Sequence, residues 1–401
     1  MDDAKYLEFR DGLFDAMWKH LAPLEQQIEE TERFPYDVLL PALREMRAFA
    51  LLIPTRYGGL GLTVSQYLPI ISEFAKIHGG IRAFVHVHNS FCHALAKLGT
   101  EAQQSLVLPA AARGENSVAF ALTEPDHGTG LDLGTTALRD GDDYVVNGRK
   151  WLITNSDIAS HFILVAKTPE STHGALSAFL IERDTPGLVI ESMPELMGCK
   201  GGQHGQLTFN DARISSQSLL GGAEGRGEQQ FEDTLEISRL LVAASSLGTA
   251  EYALDLSLAH AKRRVTFGKP IAARQAVQRY LVEMATDVYA LRQMLRDAAA
   301  KWDAGQRIPA ESSMCKLFGL EAVGRVTDRA LLVHGGIGYT RAHPIERLYR
   351  DARLNWIEEG TPTIQVLTAV RELLKDGWAW RDAPPSETSW PPFERKETVD
   401  A

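Results

Sequence analysis

Cysteine is scarce in this chain: Cys92, Cys199 and Cys315 are the only three among 401 residues. They form no metal-like cluster, which excludes a thiolate-held metal centre, and no metal is expected. Their small number suits a reducing compartment. Long apolar runs are also missing. None approaches the length of about 18 residues that crosses a bilayer, so no membrane span is expected. The first residues, MDDAKYLEFR, carry acid early and no apolar core. No targeting segment is therefore evident, and the expected location is cytoplasmic. Basic charge is not in excess. The 52 acidic residues outnumber the 42 Lys and Arg, for a net charge of -10. That balance disfavours nucleic acid as the main partner but leaves room for local basic pockets that bind phosphate. No internal repeat is present.

What the chain does have is enough length for a sizeable core divided into two or three domains. The stretch from Leu331 to Leu374 is the most informative part. Gly335, Gly336 and Gly338 interrupt an apolar helical run, where glycine permits a tight turn or close approach to a ligand. A basic segment follows, then Glu358, Glu359 and Gly360. Thr361 and Pro362 look like an N-cap and first helical residue. Ile364, Leu367, Val370 and Leu374 then repeat at helical spacing. One or two carboxylates thus sit just before a helix. They suit either a base beside a ligand or a solvated turn that complements the helix dipole.

Four regions are expected: a helical domain over 1–117, a β domain over 118–228, a helical bundle over 229–376 and a tail over 377–401. In the first, Phe9, Leu13, Met17 and Leu21 share a face, Val38 to Ile53 reads as one apolar helix ending at Pro54, and Tyr67 to His78 reads as another. His86, His88 and His93 favour core or interface roles over metal ligation. Arg82, among Ile81, Ala83, Phe84 and Val85, must find an acceptor if buried, either a structural carboxylate or a substrate carboxylate. In the second region, Tyr144 to Val146, an Asn147-Gly148 turn and Trp151 to Ile153 predict a hairpin. In the third, two helices span the long run from Leu240 and Ala273 to Ala299. Ala310 to Gly336 and the final stretch complete four long antiparallel helices.

Five motifs stand out in order. ALTEPDHGTGLDLGTT covers Ala121 to Thr136, NGRKWLITN covers Asn147 to Asn155, and RRVTFGKPI covers Arg263 to Ile271. HGGIGYTRAHPIERLYRDA and EEGTPTIQ follow. Together they resemble the signatures of the acyl-CoA dehydrogenase family, over about Pro35 to Leu374. The resemblance implies an α+β, three-domain fold: an N-terminal α-helical domain, a central β-barrel or sheet domain and a C-terminal four-helix bundle. It also implies a homotetramer, or occasionally a dimer, with one noncovalent FAD per subunit between the β domain and the bundle. Electron-transfer flavoprotein is the partner implied by most of the family.

By the same resemblance, Thr123 meets the pyrimidine edge of the flavin, Thr154 lies near flavin N5 and O4, and Thr129 donates to the pyrophosphate. Arg264, Phe267 and Gln275 match positions that reach the FAD of a neighbouring subunit, and Thr361 and Gln365 are also assigned to the cofactor. Gly360, Arg239 and Arg82 are assigned to substrate. Arg239 is also a candidate to organise the active-site loop through a salt bridge. Glu359 matches the commonest catalytic base. It takes the thioester α-proton while flavin N5 takes the β-hydride, and its backbone N–H helps bind the thioester oxygen. Burial by substrate would make the carboxylate a better base.

Some positions depart from the pattern. His127, Gly128, Thr129 and Gly130 replace the usual residues of the first signature. Leu152 stands where tryptophan usually packs on the flavin. Trp151, one place earlier, points oppositely along a regular strand and needs a bulge to substitute. Leu332 replaces a frequent glutamine. Relatives with the base on an earlier helix place it at Ser238 here, which cannot serve, and Glu236 is expected to be structural or to support the site. Glu358, where a tyrosine is frequent, is expected to face solvent or form a salt bridge.

The function implied is FAD-dependent α,β-dehydrogenation of an acyl-CoA thioester, with a short or branched monocarboxyl acyl group favoured. Arg82 shares the spacing of the carboxylate-binding arginine of glutaryl-CoA dehydrogenases. Oxidative decarboxylation of a dicarboxyl-CoA is therefore an alternative. Dehydrogenation of a carrier-protein thioester, flavin monooxygenation and a non-enzymatic assembly role are the others.

Overall fold

A computed structural model describes residues 2–127, 132–169, 175–193, 195–202 and 204–375. The tail from 377 onward and Thr129 lie outside the described residues. The N-terminal helices are α1 (Asp3–His20), α2 (Glu25–Thr31), α3 (Tyr36–Glu45), α4 (Val64–Ile77), α5 (Gly79–Leu98) and α6 (Glu101–Ala112). Leu13, Met17 and Leu21 are buried, and Phe9 packs against the same core. Thr63 and Gln66 form a reciprocal capping box at α4, which satisfies two otherwise orphaned backbone donors. The His78 ring accepts from Gly80 N at 3.1 Å and starts α5 immediately afterwards. Helix α5 is buried nearly all round, including Arg82, His86 and His88. A Cβ on Gly80 would lie 1.9 Å from the Lys200 carbonyl oxygen, so only glycine lets the β domain approach this helix so closely.

The apolar run after α3 is not helical. The helix ends at Glu45, and Arg47 adopts φ 55°. Val38 to Ile53 is therefore half helix and half turn. The reason is that the turned backbone finds better partners than a further helical ladder. Asn89 donates to Ala48 O at 2.8 Å and accepts from Leu52 N at 3.2 Å. Leu60 and Leu62 donate to Ala50 and Leu51. Apolar composition carries the burial in either geometry.

The β domain contains β1 (Val118–Ala121), β2 (Thr136–Asp140), β3 (Asp143–Thr154), β4 (His161–Lys167), β5 (Leu176–Glu182), β6 (Leu188–Ser192) and β7 (His204–Ser215). β1 and the first residue of β2 run parallel along one edge of β4, and β5 pairs antiparallel on the other. β2, β3, β7 and β6 continue the sheet in antiparallel pairs, with a crossover between β3 and β7. The hairpin predicted at Asn147-Gly148 is absent: both residues lie inside β3, and the turn falls at Gly141-Asp142. Asn147 instead exchanges two hydrogen bonds of 2.9 Å with Asp211 on β7. Gly148, at φ 142°, occupies a register shift where a Cβ would meet Thr135 at 2.5 Å. Asn-Gly here builds a bulge rather than a turn.

Helix α7 (Gly227–Arg263) leads into a small hairpin of β8 (Val265–Thr266) and β9 (Lys269–Pro270). Helices α8 (Gln275–Asp303), α9 (Pro309–His334), α10 (Ile345–Asn355) and α11 (Pro362–Leu373) follow. α7, α8, α9 and α11 pack as the bundle, with α10 laid against α7 and α9. The fourth bundle helix is short, at 12 residues, rather than long as expected. Glu236 on α7 receives Arg307 Nε at 2.6 Å and the Ile308 N–H. It ties down the entry to α9 and is structural.

Candidate active site

The site forms where the turn between α10 and α11 meets α5, α7 and α9. Glu359 and Gly360 adopt φ 55° and 92°. Two successive left-handed residues reverse the chain and turn their carbonyls inward. Gln365 Nε2 donates to both, at 3.0 Å to Glu359 O and 2.9 Å to Gly360 O. Lys316 Nζ, buried on α9, also donates to Gly360 O. Burial pulls the Lys316 pKa down to about 8, against the opposing Glu358 and Glu359 carboxylates. Thr361 begins α11 without a side-chain cap, and Pro362 follows in the first turn. Among the described residues, the Glu359 N–H meets no acceptor, as a donor aimed at a ligand would.

The Glu359 side chain enters a small polar network. Its Oε1 accepts from Ser238 Oγ on α7 at 2.9 Å. His86 Nε2 on α5 lies 3.2 Å from that hydroxyl and 3.8 Å from Glu359 Oε1. Arg239 is buried beside this network, with Glu232 at 3.9 Å and its Nε unpartnered. Burial lowers its pKa despite Glu232, Glu359 and Glu236. The salt bridge expected from Arg239 to the loop is absent among the described residues. Lys316 and Gln365 hold the loop instead.

Arg82 is 2% exposed and engaged by the protein itself. Its Nη1 lies 2.9 Å from Glu358 Oε1, and its Nη2 donates to Asn355 Oδ1 at 3.0 Å. Asn355 Nδ2 in turn donates to Ser246 Oγ at 2.9 Å. Burial works to raise the Glu358 pKa. Together, the charge of Arg82, that of His86, the Arg82 hydrogen bond and the charge of Lys316 outweigh it and hold the carboxyl below its usual value. Of the two dispositions expected for Glu358, the salt bridge is the one adopted. Arg82 meets a structural carboxylate in Glu358.

The β domain brings a second set of groups. Trp151 N donates to Thr123 O at 2.7 Å, which joins the first signature loop to the end of β3. The bulge that Trp151 needs is present: the register shifts between Lys150 and Ile153, and Leu152 takes φ 57° and is 41% exposed. Trp151 Nε1 and Asn155 Oδ1 are buried without partners, while Asn155 Nδ2 donates to Phe84 O at 3.0 Å and docks the strand end on α5. Thr123 and Thr154 are both half-buried at these strand ends. An orphaned indole donor, two hydroxyls and an exposed leucine fit a planar ligand with polar edges, as an isoalloxazine has. Glu124 and Lys150, paired at 2.7 Å in the core, brace the loop. His127 is exposed, 4.0 Å from Asp132.

Arg264, Phe267 and Gln275 lie apart from this constellation within the subunit. Arg264 ends α7, Phe267 is 96% exposed at the tip between β8 and β9, and Gln275 opens α8. Leu332 is likewise exposed on α9. Sequence pattern does not mark Lys316 as a site residue, and it marks His86 only as a core or interface residue. A lone lysine in the otherwise uncharged run Ser312 to Leu320 was the available signal for the first.

Three family models match the chain. The acyl-CoA dehydrogenase N-terminal domain covers residues 3–115, the middle domain 119–212 and the C-terminal domain 225–374. An acryloyl-CoA reductase (NADH) of Anaerotignum propionicum is 36% identical, over 88% of this chain and 91% of the relative. An acyl-CoA dehydrogenase of Bacillus subtilis is 35% identical, over 89% and 94%. The crystal structure of an acyl-CoA dehydrogenase from Geobacillus kaustophilus superimposes with a TM-score of 0.88 at 31% identity, over 94% of this chain and 99% of that one.

Proposed function

The chain belongs to the acyl-CoA dehydrogenase family, and from that premise we propose that it acts on acyl-CoA thioesters whose acyl group ends without charge, with Glu359 as the base. It is an FAD-dependent enzyme that oxidises an acyl-CoA thioester. Bound FAD supplies the two-electron acceptor for the β-C–H bond. The protein's own residues must hold the thioester, take the α-proton and keep water out. Thr123, Trp151 and Thr154 are the candidates to receive the flavin edge; Thr361 and Gln365 are further candidates for the cofactor, and the resemblance assigns Thr129, outside the described residues, to the pyrophosphate. The Glu359 N–H is the candidate donor to the thioester oxygen, next to Gly360. Such a donor stabilises the charge that builds as the α-proton leaves. The Glu359 carboxylate takes that proton. Arg239, buried beside it, adds positive potential to the same region.

The substrate preference rests on the pairing of Arg82 with Glu358 at 2.9 Å. A buried guanidinium with its charge already matched has little to offer a second carboxylate. This weighs against a glutaryl-type substrate and toward a short or branched monocarboxyl acyl chain. Assembly as a homotetramer, electron transfer to an electron-transfer flavoprotein and a reducing, cytoplasmic setting complete the proposal. The three cysteines are buried and free, in keeping with the last of these.

The test is reduction of the bound FAD by a panel of acyl-CoAs without oxygen, followed by absorbance, with mass spectrometry of the product. Butyryl- and isobutyryl-CoA should bleach the flavin faster than glutaryl-CoA. Glu359→Gln should keep its FAD and lose bleaching by about a thousandfold or more. Normal bleaching in that variant would falsify the assignment of the base.

A further inference from the structure

Helix α7 carries several buried hydroxyls, and one behaves differently. Ser245, Ser246 and Ser257 each donate to the carbonyl four residues earlier, as does Thr234. That is the default for such a side chain inside a helix. Ser238 instead donates away from its helix, to Glu359 Oε1 at 2.9 Å. A hydroxyl has one hydrogen, so Ser238 Oγ must accept from its other neighbour. That neighbour is His86 Nε2, at 3.2 Å. The roles are therefore fixed in sequence: imidazole N–H to hydroxyl oxygen, hydroxyl O–H to carboxylate. His86 and Ser238 are fully buried, and His86 Nδ1 has no partner among the described residues. No other described side chain donates to Glu359, so Oε2 is left without a donor.

We propose that His86 and Ser238 are positioning residues for the base: the chain from His86 through Ser238 holds Glu359 Oε1 and leaves Oε2 as the oxygen that takes the α-proton. The inference rests on Glu359 being the base. A glutamate rotates about three side-chain bonds, and the turn that carries it is fixed by Gln365 and Lys316 at its carbonyls and by Arg82 at the neighbouring Glu358, none of which touches the Glu359 side chain. Backbone fixation sets where the side chain starts; the Ser238 hydroxyl sets where it points. His86 orients the hydroxyl, which would otherwise return to the helix carbonyl at Thr234. Proton abstraction from carbon demands close alignment, because a small displacement of the base costs rate steeply. The charged neighbours Lys316, Arg239 and Glu358 attract or repel the carboxylate without fixing which oxygen is presented.

The test separates proton abstraction from oxidation. In a 3-thia-acyl-CoA, sulfur replaces the β-carbon, so the compound can lose an α-proton but has no β-hydride to give. Exchange of its α-hydrogens with solvent deuterium is followed by mass spectrometry on the FAD-loaded enzyme. Ser238→Ala should slow exchange about tenfold or more at saturating ligand, with ligand affinity changed less than twofold. His86→Phe should do the same. His86→Gln keeps an N–H near the Nε2 position and should recover most of the rate. Glu359→Gln should abolish exchange. Should Glu359→Gln exchange normally, the base assignment fails. Should it be inactive while Ser238→Ala exchanges at the wild-type rate, the positioning role alone is overturned, as it is if His86→Gln fares no better than His86→Phe. Ser238→Ala removes a single oxygen from an intact helix, and its result decides the matter if a histidine variant loses FAD.

Discussion

A guanidinium that has a carboxylate at 2.9 Å and an amide oxygen at 3.0 Å, as Arg82 has in Glu358 and Asn355, presents little net positive field to an arriving anion. Removing the carboxylate alone should restore that field. In Glu358→Gln the side-chain volume stays nearly constant while Arg82 loses its counter-charge. The expected result is a specificity change: kcat/KM for glutaryl-CoA relative to that for butyryl-CoA should rise about tenfold or more, because an incoming carboxylate now pairs a buried cation. Folding stability should fall by about 3 kcal/mol, since breaking a buried ion pair leaves one charge uncompensated. Steady-state kinetics with the two substrates measures the first effect and thermal unfolding the second. A lost stability with an unchanged substrate ratio would mean that Arg82 serves only the fold. The pairing also marks a limit of what residues disclose on their own. Arg82 in an apolar helix, and Glu358 in an acidic turn, each imply a need for a partner. Nothing local joins two residues 276 positions apart. Lys316 is similar: its acceptor is a backbone carbonyl of a turn on another element, and a carbonyl has no signature in sequence.

Elements were legible where periodicity and punctuation agreed, as in α4 and the long helices of the bundle. They were misread where the same residues serve two geometries. Asn147-Gly148 suits a turn or a bulge, and the choice belongs to Asp211 and Thr135, which come from elsewhere in the sheet. The bulge at Leu152 was foreseeable because the position of Trp151 required one. At this scale, junctions between elements carry a measurable load. Glu29 on α2 accepts from Arg350 on α10 at 2.6 Å and lies 3.2 Å from His78, between α4 and α5. Burial works to raise its pKa, and the hydrogen bonds from His78 and Arg350 outweigh it, bringing the carboxyl down to about 2 from 4.5. A carboxyl with a depressed folded-state pKa stabilises the fold above its unfolded value. That stabilisation disappears as the pH falls from about 4.5 toward 2. It amounts to at most about 3 kcal/mol. Glu29→Gln should lower stability at pH 7 and lose less on acidification through this window. Denaturant unfolding at several pH values checks it. Parallel acid slopes in the two proteins would show that the junction does not depend on this charge.

For the whole molecule, the surface of the bundle is the feature that a single subunit leaves unexplained. Phe267, Val282, Tyr289, Leu332 and Tyr339 are exposed large apolar side chains. Phe267 is held at φ 48° beside Gly268 at φ 75°, so the tip of the β8–β9 hairpin is shaped to project its ring. The Arg274 guanidinium lies 5.7 Å from the ring centroid and steadies it. Solvent exposure of a fixed aromatic side chain is unfavourable unless something else covers it. In the proposed homotetramer a second copy of the chain would meet that need, and Arg264, Phe267 and Gln275 reaching its cofactor would link assembly to FAD retention. By mass action, a cofactor held partly across an interface should leave as the assembly is diluted. In the wild type, light scattering should report a homotetramer that keeps its FAD at micromolar concentration. Arg264→Ser combined with Phe267→Ser should weaken both properties together. Free FAD fluorescence should rise on dilution at protein concentrations about tenfold or more above those needed for the wild type. The subunit fold should remain, since neither side chain is part of a buried core. A wild-type protein that scatters as a monomer and still carries a full complement of FAD would remove the interface from the account. The residues of the intrasubunit site would then have to hold the entire cofactor.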